Sequence, residues 1–136
     1  MKTPIVVVDT NVFVSGIFFS GPPYSILKAW QDDRLHIAVT KEIIEEYRRV
    51  IETLSEKFES TDIDYFWELL LIEAELVPSY SFNEVICEDP DDDKFLACAI
   101  AAKSKYIISG DKHLLKIGQF LNTKIVTPRY FLDNML

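Results

Sequence analysis

A chain of 136 residues, 49% apolar and 26% charged, has the material for one domain with its own core, spanning 1–136, and that balance excludes a disordered polymer. Its longest apolar runs, IVVV (5–8) and ACAIAA (97–102), fall far short of the ~20 residues a membrane-spanning helix needs, and Asp9 stands where a signal peptide would stay apolar, so a soluble cytoplasmic chain is expected. Two cysteines, Cys87 and Cys98, without CxxC spacing exclude a disulfide scaffold and a zinc ribbon, while a net charge of −8 opposes a phosphate partner unless carboxylates converge on metal cations.

The first expected strand is PIVVVD (4–9), a continuous β-branched run of the kind buried on both faces of a parallel sheet. An apolar stretch punctuated by Gly16 and Gly21 follows, and the two prolines of PPYSILKAW (22–30) suit the first turn of a short helix. LHIAV (35–39) reads as a second strand. Thr40 then offers an N-cap to KEIIEEYRRVIETLSEKF (41–58). Its apolar Ile43, Ile44, Tyr47, Val50, Ile51 and Leu54 keep the i, i+3, i+4, i+7 spacing of an amphipathic helix. TDIDYFWELLLIEAE (61–75) fits another helix, capped by Thr61 or Asp62.

ELVPS (75–79) reads as an edge strand, because Pro78 removes a ladder donor. Asp89 and Pro90 look like the N-cap and first position of a helix running through Lys103. KYIIS (105–109) is the next strand; Gly110 turns the chain, Asp111 caps KHLLKI (112–117) and Gly118 ends it. TKIVTP (123–128) supplies the last strand, with Thr127 and Pro128 opening a terminal helical turn. Strands alternating with helices imply a three-layer α/β/α fold around a mostly parallel sheet of four to five strands.

In such a sheet the carboxyl ends of the strands and the amino ends of the following helices share one edge, where ligands sit. Asp9 ends the first strand, and Asp111 follows the KYIIS strand by one glycine. Asp93 stands near the start of the helix that feeds that strand. Glu46 lies six residues past Thr40, about 9 Å along its helix. Topology thus gathers four distant carboxylates. Together they would repel one another when empty, and hard oxygen donors of this kind suit Mg²⁺ or Mn²⁺ and metal-assisted phosphodiester hydrolysis.

Each acid also has an ordinary reading. Asp9 can close a turn, Asp111 can cap a helix, and Glu46 can belong to a solvated helix face beside Glu42, Glu45 and Glu52. Capping and the helix dipole account for one or two of Asp89, Asp91, Asp92 and Asp93, but not for all four with Glu88. His36 and His113 lack zinc-ligand spacing. The aromatics Phe18, Phe19, Trp30, Tyr65, Phe66 and Trp67 read as core or subunit interface.

Three blocks, VVVDTNVFVSGIF, TKEIIEEYRRVI and DPDDDKFLACAIAAKSKYIISGDKHLL, give the chain a resemblance to the PIN-domain ribonucleases, within them to the prokaryotic toxin components of toxin–antitoxin pairs related to VapC-type toxins. The resemblance carries the family's first acid onto Asp9, followed by Thr10 and Asn11, which help shape the site. Its helix-borne glutamate falls on Glu46, its D-x-x-[IL]-A acid on Asp93, and its last acid on Asp111, with Ser109 and Gly110 before it. Asp92 is left as an auxiliary ligand or second-sphere group. His113 stands where similar sequences often have another acid. The resemblance further implies Mg²⁺ or Mn²⁺, cleavage of single-stranded RNA by metal-activated water, a homodimer, and an antitoxin that covers the site.

Rival readings follow from the same residues. A haloacid-dehalogenase-like phosphatase wants a second Asp where Asn11 stands, and a receiver-like phosphoacceptor wants an acidic neighbour that Asp9 lacks, although Lys112 suits it. A non-catalytic PIN-like module that binds RNA or protein would normally have lost one of the four acids. For substrate docking, Arg48, Arg49, Lys112 and Lys116 are the basic candidates.

Overall fold

The computed structural model describes residues 3–136. The β-branched run Ile5–Val8 forms β1, whose Val6, Val7 and Val8 are fully buried, as a strand covered on both faces requires. It is followed by α1 (Thr10–Phe18), α2 (Pro22–Gln31), β2 (His36–Val39), α3 (Lys41–Ser55), α4 (Ile63–Glu73) and β3 (Glu75–Leu76). A 3-10 turn at Pro90–Asp92 then leads into α5 (Asp93–Ala101), β4 (Tyr106–Ile108), α6 (Lys112–Ile117), β5 (Gln119–Phe120), β6 (Thr123–Val126) and α7 (Pro128–Met135).

The strands make one six-stranded sheet in the order β3-β2-β1-β4-β6-β5, parallel except for the β5–β6 pair. Right-handed crossovers put α1 to α4 on one face, where α1 packs on α2, α3 and α4, and put α5 against β1, β2 and β4 on the other. The result is the expected three-layer α/β/α arrangement. β3 lies at the sheet edge, as Pro78 suggested. The added strand is β5, which turns back on β6 through Leu121 at a positive φ of 53°. No Asn-Gly or Asp-Gly pair marks that hairpin in the sequence.

Two contacts set the positions of α1 and α3. Gly16 lets α2 approach so closely that a Cβ there would stand 2.7 Å from Leu27 Cδ1 and 2.8 Å from the Pro23 carbonyl oxygen. Tyr47, fully buried, stacks on Phe13 with ring centroids 4.3 Å apart, and its hydroxyl donates to the Val8 carbonyl at the end of β1. That bond ties α3 to the sheet edge one residue away from Glu46.

The helix expected from Pro90 through Lys103 is instead divided. Asp89 caps the 3-10 turn by accepting from the Asp91 amide (3.0 Å), and the α-helical bonds begin only at Asp93. Among the described residues no helix is long and apolar enough to cross a membrane.

Candidate functional site

From β1 the chain moves through β2 to β3 on one side of the sheet, and then crosses to β4 and β6 on the other. The carboxyl ends of β1 and β4 therefore border the topological switch point, where the outgoing loops separate and leave a crevice. Asp9 and Ser109 stand there, next to the last residues of β1 and β4.

Asp9 is 4% exposed and is held through both oxygens: Oδ1 accepts from the Val12 amide (2.9 Å), capping α1, and Oδ2 accepts from the Ser109 hydroxyl. Burial pushes its carboxyl above the ordinary range, and nearby Asp111 adds to this; the bonds from Ser109 and Val12 offset part of it. The same Ser109 oxygen accepts from the Asp111 amide (2.9 Å), so one hydroxyl links the two strand-end acids. Asp111 caps α6 by accepting from the His113 amide (2.9 Å) through Oδ1. Capping and site-building are thus carried by the same carboxylates.

Glu46 reaches the crevice from the second turn of α3. Its Oε2 accepts from the Thr10 hydroxyl and its Oε1 from Lys94 Nζ (2.6 Å). Lys94 also donates to Asp91 (2.7 Å). With the Lys94 and Glu46 side chains only 10% and 14% exposed, this is a nearly buried ion pair joining α5 to α3. The two carboxylates hold the Lys94 ammonium above its ordinary pKa against the opposing effect of burial.

A pocket of about 180 Å³ is enclosed by Asp9, Asn11, Glu46, Asp92 and Asp111, with Arg49 at its rim. Burial pushes the Asp92 carboxyl up to about 6, and the Asp111 and Asp89 carboxylates push in the same direction. Asp93, the acid taken from the D-x-x-[IL]-A pattern, does not line this pocket. Its two oxygens accept from the Ile86 (3.0 Å) and Cys87 (2.7 Å) amides, tying the preceding loop to the start of α5. Burial raises the Asp93 pKa, but these bonds outweigh it and hold the carboxyl below its usual value. Of the two neighbours it is Asp92 that lines the pocket. The reason is local: successive residues at a helix start point about 100–120° apart, so only one of two adjacent carboxylates faces the crevice.

The other residues singled out from the sequence divide clearly. Asn11 lines the pocket, and Ser109 orders Asp9 and Asp111 from beneath it. Arg49 stands at the rim, 3.8 Å from Glu46 Oε1. Arg48 is spent on Glu45 (2.9 Å) and Glu52 (2.8 Å) along its own helix face. Lys112 and Lys116 are exposed on α6. His113 presents Nδ1 to Glu88 at 2.6 Å. Lys94 was not read from the sequence as a site residue; its signal was a lone cation three positions after Asp91, on a helix otherwise buried from Phe95 to Ala99.

The donor chemistry fits a hard divalent cation. The acids lining the pocket are hard oxygen donors, and the raised Asp9 and Asp92 reflect burial and like charge that a cation would relieve. As the side chains stand, no group of three or more His, Cys, Asp or Glu among the described residues is arranged to hold a metal ion. Both oxygens of Asp9 and of Glu46 are already engaged by protein donors. Loading would thus exchange some of those bonds for bonds to the ion.

A family model described as a PIN domain matches residues 5–113, a span that contains all the acids of the pocket. No curated protein matches the chain.

Proposed function

The chain belongs to the PIN-domain family, which is generally a family of nucleases, and from that premise we propose that it is a metal-dependent endoribonuclease acting on single-stranded RNA. One observation carries the reading: Asp9, Glu46, Asp92 and Asp111, from four separate segments, line one pocket at the switch point of the sheet. In this reading Asp9, Asp92 and Asp111 hold the cation, and Glu46 completes the set from α3. Asp92 takes the place that the sequence pattern assigned to Asp93.

A bound Mg²⁺ or Mn²⁺ would supply Lewis acidity toward the scissile phosphate and a more acidic water. The chain's own groups do the rest. Ser109 and the Val12 amide keep Asp9 in one rotamer, and Thr10 and Lys94 do the same for Glu46; binding the ion exchanges some of these bonds. Asn11 offers a side-chain amide at the pocket wall, suited to donating to a phosphoryl oxygen. Asp92, its carboxyl pushed up to about 6 by burial and by its acidic neighbours, would be held ionised by the cation it binds. Arg49 at the rim offsets part of the negative field that a phosphate meets on approach.

The test is incubation of labelled single-stranded RNA with purified protein, with Mn²⁺ and with a chelator, beside Asp9→Asn. Wild type should cut only with metal, and the variant should not. Equal cutting by both would reject the assignment to this pocket, and binding without cutting by wild type would favour a non-catalytic module. The finer reading, a toxin that acts as a homodimer and is silenced by an antitoxin, predicts growth arrest on induction in a bacterial host, lost in Asp9→Asn.

A further inference from the structure

The acidic pocket, at about 180 Å³, is smaller than the ~300 Å³ at which small-molecule sites begin. It can take an ion and a phosphate but not the nucleotides on either side. Next to it lies a larger groove of about 640 Å³ that shares Asn11 and Asp111 with the pocket and continues past Ser15 and Pro22 to Thr127 and Arg129. Building on the nuclease reading above, we propose that this groove seats the nucleotides on one side of the scissile phosphate, and that Arg129 holds a flanking phosphate of a single RNA strand.

Three observations support it. First, the groove and the pocket share a wall, so a strand whose phosphate enters the pocket must leave through a neighbouring depression. Second, the lining charge is unusual for a chain of net charge −8. Among the described residues Asp111, on the shared wall, is the only acid in it, and apart from Arg129 the remainder is neutral polar, glycine, proline and valine. Arg129 is exposed and makes no ion pair among the described residues, whereas Arg48 is bound by two glutamates. An uncommitted guanidinium can give bidentate bonds to a phosphate, while the proline rings offer flat apolar surface to a sugar or base.

Third, topology sets Arg49, paired at 3.8 Å with Glu46, and Arg129, unpaired among the described residues, on opposite sides of the acids. Arg49 belongs to α3, which follows β2, and Arg129 to α7, which follows β6; β1 and β4, bearing Asp9 and Asp111, lie between them. At ~4.8 Å per strand, the ends of β2 and β6 are about 14 Å apart, the length of roughly four stacked nucleotides at ~3.4 Å each. On this proposal the two arginines stand toward different ends of a strand that crosses the acids. Arg129 lies beyond residues 5–113, the span matched by the family model.

The experiment measures binding of a fluorescent mixed-sequence single-stranded RNA by anisotropy across a salt series, using Asp9→Asn as the non-cutting parent. Adding Arg129→Gln should weaken binding about fivefold and make the log K against log salt slope shallower by ~0.7, the value of one single-strand phosphate contact. Adding Arg48→Gln should change neither. Unaltered affinity and slope in Arg129→Gln would overturn the proposal, as would equal losses from both arginines, which would indicate diffuse charge alone. Metal-dependent cutting by wild type is measured in parallel. If wild type cuts and Arg129→Gln binds like its parent, only this inference falls; if wild type neither cuts nor binds RNA, the nuclease reading falls and takes this inference with it.

Discussion

Asparagine placed at Asp92 and at Asp93 in turn should produce opposite phenotypes, although the residues are adjacent. Asp93 accepts two backbone amides at 3.0 and 2.7 Å, and bonds to a charged acceptor contribute ~1.5–3 kcal/mol each. Asparagine keeps one carbonyl oxygen and loses the charge, so Asp93→Asn should cost about 2 kcal/mol, a fall of roughly 5–8 °C in Tm for a chain of this size. Its Mn²⁺ binding should survive. At Asp92 the folded pKa of about 6 stands above the ordinary 3.8, which would give a ceiling of about 3 kcal/mol for ionising it at neutral pH. The side chain is only half-buried, so solvent screening reduces this to about 1 kcal/mol. Metal-free Asp92→Asn should therefore melt a few degrees above wild type at pH 7 yet bind Mn²⁺ much more weakly. Circular dichroism melts in chelator and calorimetric Mn²⁺ titration read both properties. If Asp93→Asn lost the metal while Asp92→Asn kept it, the assignment of the pocket to Asp92 would be refuted.

The pH course follows with a definite sign. Because the Asp92 carboxyl is raised in the fold, its cost is absent below about pH 4, grows as pH rises, and is complete above about pH 6; the stability difference between metal-free Asp92→Asn and wild type should open across that window. A difference that stays flat from acid to neutral pH would contradict the burial of Asp92 beside its acidic neighbours. Lys94→Met leaves Glu46, 14% exposed, without its ammonium partner, and should cost about 3 kcal/mol in chelator. Mn²⁺ should recover more stability in that variant than in wild type, as urea denaturation with and without metal can show. Gly16→Ala would drive a methyl group to 2.8 Å from the rigid Pro23 carbonyl, so a loss of about 2 kcal/mol is expected. A neutral outcome in thermal melts would mean that α2 shifts freely against α1.

Much of the fold was legible because hydrophobic period and turn chemistry are local. The β-branched Val6, Val7 and Val8, the i, i+3, i+4 stripe from Ile43 to Leu54, and the capping residues Thr40, Asp111 and Thr127 each report on a few adjacent positions, and the structure uses all of them as read. The β5–β6 hairpin was not legible, since Leu121 takes a positive φ without glycine or asparagine at that position. Asp9, Glu46 and Asp111 could be placed on one edge because a right-handed parallel sheet delivers strand ends and helix starts to the same side.

By itself, the sequence determined most of the strands and helices, α1 and β5 apart, and which edge of the sheet carries the acids, because periodicity and handedness leave few alternatives. Only the tertiary structure shows which of Asp92 and Asp93 lines the pocket, since that depends on where the Ile86 and Cys87 amides come to rest and on a 3-10 turn that rotates the two carboxylates apart. It also decided that Lys94 clamps Glu46 from 48 residues away and that Arg129 opens onto the groove beside Asp111. Such pairings join parts of the chain with no local signal in common. They come from the packing of α3 against α5 and from the place of β6 beside β4 in the sheet.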